Sequence, residues 1–140
     1  MTTVERSALA ALEDAVGWSA PERRDVIEER HLRFFREAIG AEPTDDPSAV
    51  PATLCACFLD EPPRLPAASG YGAGWLNGGD RFEYHASLRL GDELFSAQRF
   101  TGVTEKQGRG GRMAILTFCT EFRRADGELA VRHVGTRIRR

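Results

Sequence analysis

Apolar and polar residues alternate along the second half of the chain, from residue 79 to residue 140. In residues 81–89 the even positions are Phe, Tyr, Ala and Leu, and the odd positions are Arg, Glu, His, Ser and Arg. A period of two is typical of a β-strand with one buried face. Residues 112–123 repeat the pattern, and their Thr and Phe content favours a pleated surface. Together with residues 94–106 and 128–139, these segments predict four strands.

Glycine-containing turns separate the predicted strands. They lie at residues 90–93, 107–111 and 126–127. Tight turns connect antiparallel neighbours, whereas parallel strands need crossovers of about a dozen residues or more. We therefore predict that the four strands form an unbroken antiparallel meander.

Two segments of the first half have the apolar spacing of short helices. Residues 7–16 place leucines and a valine at helical spacing and end before Gly17, a plausible C-terminal glycine. Residues 31–39 carry an apolar stripe and end before Gly40. The stripe consists of Leu32, Phe35 and Ile39, widened by Phe34 and Ala38.

The segments between these helices and the meander are short or irregular. Residues 24–28 predict a short first strand, and the compact apolar run 51–59 predicts a short buried helix. Residues 41–52 are rich in Pro, Asp and Ser and predict a loop, and residues 64–77 predict a surface loop.

This order of elements favours one particular architecture. A strand, a helix, a loop, a buried helix and then an antiparallel meander is expected for an α+β hot-dog fold, in which an antiparallel sheet wraps around a central helix. A length of 140 residues with 41% hydrophobic content is enough for one core. We predict a hot-dog domain over residues 18–140, preceded by a helical extension over residues 1–17.

Net charge and hydropathy limit where in the cell we expect the protein and which classes of partner we expect it to bind. A formal net charge of -2 gives no general reason to bind nucleic acid or an anionic membrane. The basic residues 137–140 are predicted as the solvated edge of the last strand. No apolar stretch approaches the ~20 residues of a membrane span, and the polar start at residues 1–6 does not resemble a signal peptide. We expect a cytoplasmic protein.

The three cysteines do not predict a metal site or a disulfide framework. Cys55 and Cys57 have the wrong spacing for a zinc knuckle and no second pair of ligands, and with Cys119 the count is odd. We predict reduced thiols that act as small buried hydrophobic residues.

Four segments together resemble a known family. They are residues 22–40 (ERRDVIEERHLRFFREAIG), 51–53 (PAT), 78–85 (GGDRFEYH) and 90–94 (LGDEL). In order and spacing the chain resembles the N-terminal MaoC-type dehydratase domain, also called the fatty-acid-synthase-like dehydratase domain, over roughly residues 18–140. The resemblance implies a hot-dog subunit of an R-specific enoyl-thioester hydratase or 3-hydroxyacyl-thioester dehydratase. Its substrate would be carried on coenzyme A or acyl-carrier protein, with no further cofactor and no metal.

The chain departs from the family at the catalytic stretch. Catalytic members follow the helix with G-D-x-N-P-x-H, whereas this chain reads GAEPTDDP from residue 40, so that Ala41 replaces the aspartate. General acid-base hydration needs a group that exchanges a proton beside the β-carbon, and Ala41 has none. We therefore predict no catalytic residue, with Asp45, Asp46 and His85 as alternatives. Asp45 and Asp46 are predicted as solvated loop residues.

Five residues are predicted to contact substrate. An aromatic, glycine-rich loop at residues 70–77 would flank a tunnel mouth and contact a pantetheine arm or an acyl chain. The predicted substrate-binding residues are Thr53, Tyr71, Trp75, Asn77 and His85. His85 has a structural strand-face role as its alternative. Of the other histidines, His31 is predicted at the surface and His133 in a structural role.

The missing catalytic pair leads to three hypotheses. The first is a non-catalytic, acyl-thioester-binding subunit that becomes active only with a catalytic MaoC-type hot-dog partner; a homodimer is also possible. The second is a self-sufficient hydratase, dehydratase or thioesterase with relocated catalytic residues. The third is a non-enzymatic binding or assembly module.

Overall fold

The computed structural model describes residues 3–140, and the side chains of all of these except residues 5 and 6. The first two residues of the predicted helical extension therefore lie outside the described part. The helices are α1 (Thr3–Asp14) and α2 (Glu29–Ile39), with 3₁₀ helices at Leu54–Phe58 and Pro66–Gly70. The strands are β1 (Arg23–Val26), β2 (Trp75–Tyr84), β3 (Glu93–Ser96), β4 (Gln98–Gly108), β5 (Gly111–Arg123) and β6 (Leu129–Arg139).

The six strands form one antiparallel sheet, as the turn chemistry predicts. The order is β1-β3-β5-β6-β2, and β4 also pairs with β5. The predicted meander is correct for β4-β5-β6 and wrong at its first turn, because β2 pairs with β6 from Trp75 to Tyr84. The Gly91-Asp92 turn instead joins β3 to the β1 region: Gly91 N–H donates to the Ile27 carbonyl, and Ile27 N–H donates to the Asp92 carbonyl. A turn sequence specifies a reversal of the chain but not the strand that lies beside it.

Two predicted strands have different bounds in the structure. The strand predicted at 81–89 runs from Trp75 to Tyr84, because its pairing with β6 extends into the predicted loop. The strand predicted at 94–106 is two strands with a break at Ala97. β3 pairs with β1 and, at Phe95, with β5, whereas β4 pairs with β5 along its length. The remaining strand and helix predictions are correct to within a few residues at their ends.

Helix α2 lies over one of two hydrophobic clusters, but less deeply than its apolar stripe predicts. Leu32 is 1% exposed and belongs to a cluster with Phe122 of β5 and Val131 of β6. Phe34 and Ile39 are 58% and 54% exposed, which corrects their placement in the buried stripe. The outer part of this apolar face is therefore open in the isolated chain.

Local capping fixes both ends of α2. The Glu28 backbone N–H donates to His31 Nδ1 at 3.0 Å, and the His31 ring packs edge-on against Phe58 with centroids 5.1 Å apart. His31, predicted at the surface, is thus half-buried with a capping role. Gly40 ends the helix in the left-handed conformation at φ 63°.

The second cluster corrects the prediction that residues 64–77 are a surface loop. Leu65, Ala68 and Tyr71 are buried against Leu12 of α1. Phe100 and Phe118 complete its sheet side. The 3₁₀ helix Pro66–Gly70 therefore serves as a packing element, and its small residues, PAASG, gave no apolar periodicity from which that role could be predicted.

The cysteines are free thiols, as predicted. Cys55 and Cys119 are buried, whereas Cys57 is exposed, which corrects its assignment to the core. Burial raises the pKa of Cys55 to about 12, so this thiol is chemically inert at neutral pH.

Candidate functional site

An open groove of about 510 Å³ lies between residues 49–52 and the chain that follows β2. Tyr84 and His85 line one wall, Val50 and Pro51 line the other, and Val131 of β6 also contributes. The groove joins aliphatic surface to a few polar groups, which is the usual character of a small-molecule site. Of the residues predicted to contact substrate, His85 is the one that lines it, and the exposed Thr53 lies one residue beyond its lining.

Asp46 anchors the loop that forms one wall of this groove. Its Oδ1 accepts hydrogen bonds from the Ser48 backbone N–H at 3.1 Å and the Ser48 hydroxyl at 2.7 Å, and its Oδ2 accepts from Arg89 at 2.8 Å. The hydrogen bonds from Ser48, followed by those from Arg89, lower the pKa of Asp46 to about 2. This carboxylate is held ionised by its structural partners. Asp45 is an exposed loop residue, as predicted.

His85 has an acidic neighbour but no buried environment. Its Nε2 lies 3.7 Å from Glu83 Oε2, and its side chain is 46% exposed. An imidazole at this position is able to donate a hydrogen bond to a polar group in the groove.

Tyr71 and Trp75 lie away from the groove, in the second hydrophobic cluster. The Tyr71 hydroxyl donates to Glu105 Oε2 at 2.8 Å, and the Arg139 guanidinium sits 5.1 Å from the Trp75 ring centroid. Arg139 Nε also donates to the Tyr71 carbonyl at 2.7 Å. The structure thus does not bring these two aromatic residues together with His85, and their predicted contact with substrate stays a prediction.

Asn77, the remaining predicted contact, belongs to a charged network at the β2–β6 pair. Asn77 Nδ2 donates to Asp80 Oδ2 at 3.0 Å, and Asp80 Oδ1 lies 2.7 Å from His133 Nε2. Arg137 donates to the same Asp80 oxygen at 2.7 Å and binds the Glu61 carboxylate through its Nε at 3.0 Å and through Nη2. His133 and Arg137 are only 1% and 4% exposed.

The position of Arg137 corrects the prediction that residues 137–140 are a solvated edge. β6 lies between β5 and β2, so it is an interior strand with two neighbours. Arg137 points into the protein and is neutralised there by Glu61 and Asp80. Gly135 makes room for it, because a Cβ at that position would lie 2.7 Å from His133 Cε1 and 3.1 Å from Arg137 Nη1.

The network sets the protonation of its members. Burial alone would raise the pKa of Asp80, but hydrogen bonds from Asn77, Arg137 and His133 outweigh it and lower that pKa to about 2. Burial lowers the pKa of His133 despite the hydrogen bond to Asp80. His133 is therefore neutral at pH 7, and because a carboxylate only accepts, the proton sits on Nε2 and points at Asp80.

Sequence reasoning missed the pairing of His133 with Asp80, although it predicted a structural role for this histidine. One signal was present. The odd positions of β6 from residue 131 read Val, His, Gly, Arg and Arg, so the period that buries Val131 also buries His133 and Arg137. Nothing in the sequence indicated that Asp80 and Glu61 would meet them.

The chemistry available in the two regions differs. The groove offers an accessible imidazole, and the carboxylate of Asp46, in the loop beside it, is already bound by Ser48 and Arg89. The network offers an imidazole–carboxylate pair, but neither residue lines the groove. Within residues 3–140, excluding the side chains of residues 5 and 6, no group of three or more His, Cys, Asp or Glu residues is arranged to hold a metal ion. Of the helices that the structure describes, none combines the length and the apolar character needed to cross a membrane.

A protein-family model matches most of the chain. The family described as "FAS1-like, dehydratase domain region" matches residues 14–133. A comparison with curated proteins finds no match.

Solved structures with the same arrangement of strands and helices cover nearly the whole chain. The HadBC (3R-hydroxyacyl-ACP dehydratase) complex from Mycobacterium tuberculosis contains a chain 19% identical, with a TM-score of 0.68, covering 89% of this chain and 97% of that chain. A chain of the ChsH1-ChsH2 complex from the same organism is 13% identical, with a TM-score of 0.71 and coverages of 96% and 89%. The (R)-hydratase from A. caviae involved in PHA biosynthesis is 20% identical, with a TM-score of 0.62 and coverages of 87% and 94%. These likenesses confirm the predicted hot-dog fold.

Proposed function

Because the chain belongs to the FAS1-like dehydratase-domain family, we propose that it is the non-catalytic, acyl-thioester-binding subunit of a heteromeric R-specific hydratase or dehydratase. A second, MaoC-type hot-dog chain supplies the acid–base chemistry. The substrate is an enoyl or 3-hydroxyacyl group carried on coenzyme A or acyl-carrier protein, and the complex works in the cytoplasm.

The observation that carries this proposal is the chemistry at the end of α2. Ala41 stands where catalytic members have an aspartate, and it has no group that exchanges a proton. The nearby Asp46 is engaged by Ser48 and Arg89 and has its pKa lowered to about 2. A general base for water needs a pKa nearer the working pH. The groove beside it therefore binds and orients better than it catalyses.

The open groove supports a binding role for the chain. Its aliphatic walls are suited to an acyl chain or to a pantetheine arm, and His85 gives one hydrogen-bond donor for a carbonyl oxygen. Thr53, at its margin, is exposed.

The exposed edge of strand β2 supports the proposal that a partner subunit binds there. β2 pairs with β6 on one side and has no second strand partner among the described residues. It is also exposed on both faces over most of its length, with Leu76 42% exposed and Tyr84 50% exposed. A long edge with apolar side chains is a surface that another strand or subunit covers in stable proteins. The HadBC and ChsH1-ChsH2 structures, whose folds this chain shares, are complexes of two chain types.

One experiment tests the proposal and its interface together. The chain is co-expressed with a MaoC-type chain encoded beside its gene that carries an intact G-D-x-N-P-x-H stretch, and the pair is sized and assayed for hydration of crotonyl-CoA. We expect turnover from the pair and none from this chain alone.

Leu76→Glu, on β2, should abolish co-elution of the two chains and the activity of the pair. Leu90→Glu is the matched control, since Leu90 is 40% exposed but lies outside β2. Equal turnover by the isolated chain refutes the proposal.

A specific observation favours a second candidate, an enzyme that needs no partner. Asp80 and His133 form an imidazole–carboxylate pair at 2.7 Å, and such pairs act as general bases in many enzymes. The 1% exposure of His133 weighs against it, because a substrate would have to enter the core to reach the ring. Turnover by the isolated chain that His133→Gln abolishes, while Leu76→Glu does not, would select this candidate.

A further inference from the structure

Three polar side chains form a row across the buried face of the sheet. Gln98 of β4 lies directly opposite Thr120 of β5, and Thr120 lies opposite His133 of β6. Their exposed fractions are 5%, 3% and 1%. The row therefore crosses three adjacent strands at one level of the sheet, inside the protein.

Each residue of the row has a buried polar atom that no described protein group satisfies. These atoms are Gln98 Oε1, Thr120 Oγ1 and His133 Nδ1. Buried polar groups in proteins are hydrogen-bonded in the great majority of cases, to protein or to ordered water. Three unsatisfied atoms on directly paired residues are one feature and need one common explanation.

The row separates the two hydrophobic clusters and is crossed by a covering segment. On one side, Phe122 and Val131 belong to the cluster under α2, and on the other, Phe118 belongs to the cluster under α1. The covering segment, residues 60–61, contacts Gln98 at one end of the row and Arg137, a neighbour of His133, at the other. The Asp60 carbonyl accepts from Gln98 Nε2 at 3.4 Å, and the Glu61 carboxylate binds Arg137 beside His133. The row is therefore an enclosed polar layer between two apolar regions.

Hydrogen-bond counting specifies what this layer binds. His133 Nε2 carries the proton that Asp80 accepts, so Nδ1 is an acceptor. Gln98 uses Nε2 to contact Asp60, so its free Oε1 is a second acceptor. The single Thr120 hydroxyl has one proton and is unable to satisfy both. A ligand here must donate hydrogen bonds to these two acceptors.

We propose that Gln98, Thr120 and His133 bind one or two ordered water molecules in a closed chamber between the hydrophobic clusters. Water donates two hydrogen bonds and accepts two, which matches two acceptors and one hydroxyl. A cation is disfavoured, because Asp80, the carboxylate that is hydrogen-bonded to His133, is already bound by Arg137, and an uncompensated charge is costly to bury. Through His133 and Asp80 the bound water is linked by hydrogen bonds to the exposed edge strand β2.

The test uses the full chain and the isosteric variant Thr120→Val. The change in the urea midpoint caused by this variant has one sign if the chamber contains water and the opposite sign if it is dry. If water binds the Thr120 hydroxyl, the valine removes one of its partners, and the urea midpoint of unfolding falls by roughly 0.5–1 M. If the chamber is dry, the valine removes an unsatisfied hydroxyl, and the midpoint stays or rises. Thr104→Val, at an exposed position of β4, is the control and should leave the midpoint unchanged.

A crystal structure of the wild-type chain supplies the second readout. We expect electron density for water at about 2.7–3.2 Å from at least two of the three unsatisfied atoms. Such density together with a lowered midpoint for Thr120→Val supports the proposal. The absence of that density, or a Thr120→Val midpoint equal to or above that of the wild type, overturns it.

Discussion

Replacing Arg137 by methionine is the sharpest test of the charged network. If Arg137 is a solvated residue at a strand edge, the free energy of unfolding should hardly change, whereas a buried, paired Arg137 predicts a large loss. Arg137 is 4% exposed and donates hydrogen bonds to Glu61, Asp80 and Asn77. Methionine retains most of the apolar stem and fills similar space. The substitution therefore removes the charge and the hydrogen bonds and creates only a small change in packing.

The expected loss in the free energy of unfolding follows from how exposed the partners of Arg137 are. Breaking a fully buried ion pair by removing one member costs about 3–5 kcal/mol. The side chains of Glu61 and Asp80 are 43% and 32% exposed, so water compensates them in part. We therefore expect Arg137→Met to lower the free energy of unfolding by about 2–3 kcal/mol.

The assay is urea unfolding at pH 7, followed by the fluorescence of the two tryptophans. Arg81→Met is the matched control, since the Arg81 side chain is 73% exposed and pairs with Glu83 alone among the described charges. Such surface changes stay within about 0.5 kcal/mol. A loss for Arg137→Met no larger than that of Arg81→Met would show that the guanidinium is solvated, and would refute the network.

Two further predictions concern the same region. Stability should be constant near neutral pH and then fall on the acid side in two stages. The first begins below the unfolded pKa of 6.5, because the lowered pKa of folded His133 lets the unfolded chain take up that proton first. The second lies between 3.8 and about 2, where the unfolded Asp80 carboxyl protonates before the folded one. Asp80→Asn should reduce the second stage without removing it, because Asp46, whose pKa is also lowered to about 2, contributes in the same range. Urea midpoints that fall between pH 3.8 and about 2 as steeply as those of the wild type would contradict this. Gly135→Ala should cost about 1–3 kcal/mol, since its Cβ would lie 2.7 Å from His133 Cε1. Gly102→Ala, with open space around the added Cβ, is the control, and equal unfolding midpoints for the two variants would contradict the crowding.

Local patterns predicted the elements of this fold well and their pairing less well. The alternation in β5 correctly identified Ala114, Leu116, Phe118 and Phe122 as buried, because a half-buried strand must repeat every two residues. The pairing of β2 with β6 depends on which strand covers which apolar surface, and that is a property of the whole chain. The exposure of Phe34 and Ile39 likewise depends on a surface that the isolated chain leaves open.

The candidate site was predicted only in part, because some of its contacts join residues that are distant in the sequence. The loop at residues 41–52 was predicted from its Pro, Asp and Ser content, and His85 lies in one of the four segments that resemble the family. The contact of Glu61 with Arg137 joins residues that are 76 positions apart, and no local pattern encodes it. Charged residues in a strand are usually solvated, but Arg137 lies on an interior strand and meets the carboxylates of Glu61 and Asp80, which reverses that expectation.

The position of β2 beside β6 has a consequence for synthesis on the ribosome. β2 ends at Tyr84 and β6 begins at Leu129, and translation proceeds at about 5–20 residues per second. A nascent chain must therefore hold β2 without its neighbour for several seconds after it leaves the exit tunnel. During that interval Leu76 and Tyr84 are exposed, and the proposed partner subunit would have its first opportunity to dock.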